Sequence, residues 1–302
     1  MELPLNALRD HYPFGHVSLS EKENIIRTDR GLKRVCFWTD QRLFDWHIRF
    51  RKRLADEGVP VNRMFVTTGG SPGLFFNGGI LSVHDVLEEP AALVGYEPMW
   101  SRAVAAILKV AETPVRAPLL PINAKDAFED FSVILKQAKD QEGEVKLLKK
   151  CERDALKQHK LAVGLKRRSV SSMPFLPRLD LSDFKSFYRL LFWDVPQTEP
   201  QAGWKALAGF CRSWHQTAGA ASLFKLLDDV DRHYPLRGTV IDHVFAEVVD
   251  PVEWTEAIQD LHRGGRFDKD RFIQRWDNRS RLAALIDEWI GSTGEGVGRD
   301  EA

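Results

Sequence analysis

The feature that most constrains this chain is a change of pattern near residue 90. Before it, short alternating stretches are joined by glycine-containing turns; after it, apolar residues recur at helical spacing almost to the C-terminus. The first part predicts short strands over 16–20 and 24–28. The turn Thr28-Asp29-Arg30-Gly31 then opens onto a strand at 32–38. Alternation in that strand sends Leu32, Arg34 and Cys36 to one side and Lys33, Val35 and Phe37 to the other. Thr39 or Asp40 caps a following helix, with Leu43, Trp46 or His47, Phe50 and Leu54 on its buried face and Gly58 and Pro60 closing it. Further strands are expected at 61–67, 73–76 and 80–86, joined by the hairpin turns Gly69-Gly70-Ser71-Pro72 and Asn77-Gly78-Gly79.

Beyond Pro90 the periodicity predicts helices over 100–111 and 128–159, the second carrying Phe128, Phe131, Leu135 and Ala138 on one stripe. A proline-rich connector, 113–123, separates them, and a β-like island at 187–195 interrupts the helices that follow. Helical patterns resume at 203–215, 223–234, 239–248, 252–262 and 271–289. The glycine- and charge-rich tail from Gly291 is expected to be disordered. The order predicts an α+β fold with an N-terminal lobe (1–90) of antiparallel sheet plus one helix, a mostly helical lobe (91–290) and a tail (291–302). A hinge falls at 86–91. This is the arrangement of a two-lobed, protein-kinase-like fold.

The totals exclude several function classes. Lys and Arg number 43 and Asp and Glu 43, so whole-chain charge favours neither nucleic acid nor an anionic membrane as partner. Three scattered cysteines, Cys36, Cys151 and Cys211, form neither a disulfide framework nor a zinc pattern and suit a reducing compartment. The N-terminus lacks the basic start and apolar core of a signal peptide. No run approaches the roughly 18 to 20 apolar residues that span a bilayer. A cytoplasmic protein is expected, without a membrane partner. His233, His243 and His262 show no ligand spacing. The nine Lys and Arg of 146–168 read as a solvated helix face, which leaves nucleic acid an unlikely partner.

Several segments resemble the spore-coat kinase-like proteins of endospore-forming bacteria (the CotS and YutH type), a branch of the aminoglycoside and choline phosphotransferases. They are I-I-R-T-D-R-G-L-K-R-V (25–35), L-A-D-E-G-V-P (54–60), S-V-H-D-V-L-E-E (82–89), Y-P-L-R-G-T-V-I-D-H-V-F-A-E-V-V-D-P-V-E-W (234–254) and the closing helix 271–289. The resemblance implies a kinase-like fold, spore-coat proteins as partners and assembly into the coat during sporulation.

It also implies a site. Lys33 stands where the family has its nucleotide-binding lysine, and Asp194, ending L-L-F-W-D, where it has the metal-binding aspartate. Counting back from Asp194 puts Asp183 at the second metal ligand and Leu176-Pro177-Arg178 where the family reads H-G-D. The base that accepts the attacking hydroxyl's proton is therefore replaced by Arg178, which holds its proton at any ordinary pH. A slip of two residues makes Asp180 an alternative base, also without a preceding histidine. No glycine-rich phosphate loop is present, and only Asp45 in the first helix offers a partner for Lys33. These departures predict a pseudokinase with no required cofactor. ATP and magnesium would enter only if the remnant site works, as in a small-molecule phosphotransferase with an altered catalytic loop.

Overall fold

A computed structural model of the chain describes residues 3–112, 134–135, 143–168, 174–194, 197–263 and 267–292. Phe128, Phe131, Ala138, the connector and the tail from 293 lie outside them. Contacts divide the chain into two compact units, one of residues 1–119 and 174–202, the other of residues 120–173 and 203–302. The first unit thus takes a later segment, with the β-like island, into the same body as the N-terminal sheet.

That unit begins with a short helix, α1 (Leu5–His11), followed by β1 (Val17–Leu19), β2 (Ile25–Thr28) and β3 (Gly31–Trp38). Helix α2 (Gln41–Asp56) precedes β4 (Met64–Phe65), β5 (Leu74–Phe76) and β6 (Gly79–Asp85). The six strands form one antiparallel sheet ordered β1-β2-β3-β6-β4, with β5 also on β6. The expected strand at 61–67 shrinks to two residues because β6 offers one edge to two short partners. Met64 and Phe65 face His84 and Val83, and Leu74 to Phe76 take Leu81 to Gly79. Asp40 starts α2 by accepting hydrogen bonds from the backbone N–H groups of Arg42 and Leu43, and Asn77 (φ 48°) and Gly78 (φ 78°) turn β5 into β6.

One side of the sheet is closed by Leu8, Tyr12, Phe14, Ile26, Val35 and Phe65. The Tyr12 hydroxyl donates to the Leu81 carbonyl at 2.9 Å, tying α1 to the central strand. Helix α3 (Glu97–Glu112), buried along most of its length, packs against α2 and against β7 (Phe175–Leu176) and β9 (Leu190–Trp193). β9 forms a hairpin with β8 (Phe184–Phe187), and β10 (Gln201–Ala202) pairs with β7.

The second unit is helical: α4 (Glu144–Arg168), α5 (Lys205–His233), α6 (Ile241–Val249), α7 (Val252–His262) and α8 (Lys269–Gly291). The two helices expected at 203–215 and 223–234 run together as α5, broken at Gly219 (φ 83°). Val145, Leu148 and Ala155 of α4 pack with Trp254, Ile258 and Phe272, while Ala162 and Leu165 meet Ala246 and Val249. Trp254 donates its indole N–H to the Leu148 carbonyl at 3.0 Å. Arg279 is fully buried and donates to Glu253. Among the described residues no helix is long and apolar enough to cross a membrane.

Candidate functional site

The site is built on strand alternation. Consecutive residues of β3 point to opposite faces, so Lys33 and Arg34 cannot serve the same cleft. Lys33 is buried; its ammonium reaches the Asp85 carboxylate at 3.0 Å, donates to the Arg30 carbonyl and lies 5.1 Å above the Phe65 ring. All its partners belong to the sheet and its turns.

Arg34 points the other way. Its two terminal nitrogens donate to the two oxygens of Asp194 at 2.9 and 2.6 Å. Asn62 adds a third donor to Asp194 at 2.7 Å and uses the same amide to reach the Asp85 carbonyl at 2.9 Å. The loop carrying Asn62 is held by the end of β9: Trp193 donates its backbone N–H to the Pro60 carbonyl, and Asn62 donates to the Trp193 carbonyl, each at 3.0 Å. Arg51 of α2 donates to the Asn62 carbonyl; burial lowers its guanidinium to a pKa of about 10. Two arginines thus surround one buried carboxylate. His47 and His84, buried nearby, are driven toward the neutral form by desolvation, His47 to about 4.

Asp183 approaches from the turn before β8. Its carbonyl accepts the Asp194 backbone N–H at 2.6 Å, so the two aspartates are joined through the main chain. Burial pushes its carboxyl up to about 6; Arg178, whose Nε stands 3.5 Å away, pulls the other way. Asp183 and Asp194 line a cavity of about 360 Å³ with Asn24, Arg34, Leu87 and Lys185. Lys33 is not among its lining residues.

The region expected to hold the base is occupied by an ion-paired turn. Arg178 is half exposed and reaches Asp180 at 3.2 Å. Asp180 also accepts the backbone N–H and hydroxyl of Ser182, at 2.9 and 2.7 Å, capping the turn Leu181–Asp183. The Ser182 backbone donor, first among these contacts, holds Asp180 below the ordinary carboxylate range, which makes it a weak proton acceptor.

The structure therefore brings Asp183 and Asp194 together, adds Arg34, Asn62 and Lys185, and sends Lys33 to the other face of β3. Alternation marked Arg34 as the residue opposite Lys33, but Asn62 and Lys185 had no local signal. As arranged, Asp194 is committed to a guanidinium instead of a metal ion. Three donors fill most of its acceptor sites, and a cation bound there would compete with the Arg34 charge beside it.

Neither a protein-family model nor a curated protein matches the sequence. Solved structures do. An aminoglycoside phosphotransferase from Alicyclobacillus acidocaldarius superposes with a TM-score of 0.63 at 11% identity, over 97% of this chain and 96% of that one. A spectinomycin phosphotransferase in complex with ADP and spectinomycin gives 0.59 at 8% identity, over 94% and 97%. An amicoumacin kinase in complex with AMP-PNP and calcium gives 0.51 at 10% identity, over 96% and 92%. Identities this low speak for the fold, and the fold is protein-kinase-like α+β.

Proposed function

We propose that this chain is a catalytically impaired, kinase-like protein that works as a binding or structural component, and by its resemblance does so in the bacterial endospore coat. In this reading it is made in the cytoplasm, assembles with other coat proteins and turns over no nucleotide. The observation that carries the reading is the capture of Asp194 by Arg34 and Asn62. Kinase-like phosphoryl transfer needs that carboxylate on a metal ion bridging the phosphates. A bidentate guanidinium in a partly buried site is a strong competitor for it. Arg178 supports the same conclusion, because a guanidinium at the base position accepts no proton. Losing a positioned base alone costs about 10² to 10⁴ in rate.

The test is thermal denaturation with ATP and magnesium, paired with a phosphotransfer assay on aminoglycosides and choline. No saturable rise in melting temperature and no turnover are expected from the native chain. A large saturable rise would sink the proposal.

A second reading, a small-molecule phosphotransferase with an altered loop, draws on the cavity beside Asp183 and Asp194 and on the nucleotide complexes of the similar structures. It requires Arg34 to release Asp194 when nucleotide enters. Any phosphotransfer measured should then vanish in Asp194→Ala; activity that survives this change excludes the reading.

A further inference from the structure

Helix α4 arranges charge in a way its composition does not announce. Its exposed residues include Lys146, Lys149, Lys150, Arg153, Lys157, Lys160 and Arg167, and one exposed acid, Asp154. At about 100° per residue these seven cations fall within an arc of about 100°, and Asp154 lies about 40° outside it. Along the axis they span about 32 Å at 1.5 Å per residue. The basic run is thus a single stripe and not a collar around the helix.

Among the described residues the stripe has no ion-pair partner. Lys166, turned toward α6, reaches Glu247 at 2.8 Å and Asp250 at 3.6 Å, whereas none of the seven is ion-paired with another described residue. Because the whole chain is neutral, this local excess is not a by-product of a basic protein.

We infer that this stripe binds the phosphate backbone of a nucleic acid without reading its sequence. Three observations choose this partner over other polyanions. The apolar side of α4 is consumed by the core, through Val145, Leu148, Ala155, Ala162 and Leu165, so the helix has no face to insert into a bilayer. The stripe carries no aromatic residue, and among the described residues of the helix the exposed large apolar side chain beside it is the half-exposed Leu161. Protein interfaces are built on buried aromatic and arginine anchors and are depleted in lysine, the residue that dominates here. A row of lysines one helix wide matches a linear chain of charges, and the lack of stacking side chains leaves the bases unread.

The experiment is fluorescence anisotropy of the full chain with labelled single-stranded and duplex DNA of mixed sequence, about 20 nucleotides long, across a salt series. Binding is expected at low salt, independent of sequence, with a slope of log affinity against log salt between about −3 and −6, as up to seven phosphate contacts predict. Replacing Lys149, Arg153 and Lys157 together by Glu should weaken binding by at least tenfold and flatten the slope. The matching Gln substitutions, which avoid new repulsion, should weaken it less but in the same direction. Lys109→Glu, an exposed change in the other unit, should alter it less than twofold. The inference is overturned by no binding at low salt, by a slope shallower than −1, or by binding that survives the Glu and Gln variants. It is equally overturned if polyglutamate or phosphatidylserine vesicles bind more tightly than the oligonucleotide.

Discussion

Arg34 and Asp194, 160 residues apart in the chain, form a two-point ion pair with contacts of 2.6 and 2.9 Å, Asp194 nearly buried and Arg34 partly so. The pair ties the central sheet of the first unit to the end of β9. In the function proposed above this is the carboxylate of the lost metal site, so its energetics bear on fold and function together.

Arg34→Ala leaves that carboxylate buried with Asn62 as its remaining hydrogen-bond donor. Breaking a buried pair costs about 3 to 5 kcal/mol, and the partial exposure of Arg34 reduces this to about 2 kcal/mol. The Arg34→Ala/Asp194→Ala double variant should lose less than the two single losses added together. Urea denaturation of the four proteins measures the coupling, and strict additivity would show that the pair contributes nothing.

Asp183 gives a pH signature. In the folded chain it keeps its proton up to about pH 6, against an ordinary value of 3.8. The fold binds the extra proton between these values, so the stability this group confers is present below the lower one and is lost as pH rises through the upper one. Asp183→Asn removes the titration. Its stability relative to the native chain should be near zero at low pH and rise across this window to a gain of about 1 kcal/mol, solvent screening discounted. A flat difference curve would refute the assignment.

In the second unit, Arg279 and Glu253 are both almost completely buried. Arg279→Met should destabilise by about 3 to 5 kcal/mol because buried Glu253 loses the guanidinium that donates to it, leaving only the more distant charge of Arg212. Changing Glu253 to Leu as well should recover most of that loss. Thermal melts of the single and double variants decide the matter.

Gly78 turns β5 into β6 at φ 78°, a conformation in which a side chain is strained. Gly78→Ala should cost about 1 to 2 kcal/mol with no change in far-UV circular dichroism. A neutral result would mean that the turn relaxes to another type.

Much of the fold was legible locally. Alternation placed β3 and β6, Asp40 was recognisable as the cap of α2, and helix α7 falls at Val252–His262 as its periodicity predicts. These features depend on hydrogen bonds and side-chain spacing within a few residues. The extent of β4 was not legible, because it depends on how β4 and β5 share the edge of β6. Nor was Asn62, an unremarkable loop residue until the end of β9 fixes its backbone beside Asp194.

The same division holds for the candidate site. The residues alone were enough to show that Arg178 can accept no proton, and that Lys33 and Arg34 must face opposite ways. Both follow from residue chemistry and the two-residue period of a strand. Which of the two meets Asp194 depended on packing between segments far apart in the chain. Alternation fixes that they differ but not which side of the sheet a segment 160 residues away will cover, and that is set by packing β9 against the loop at Asn62. That packing sets Arg34 against Asp194 and Lys33 against Asp85.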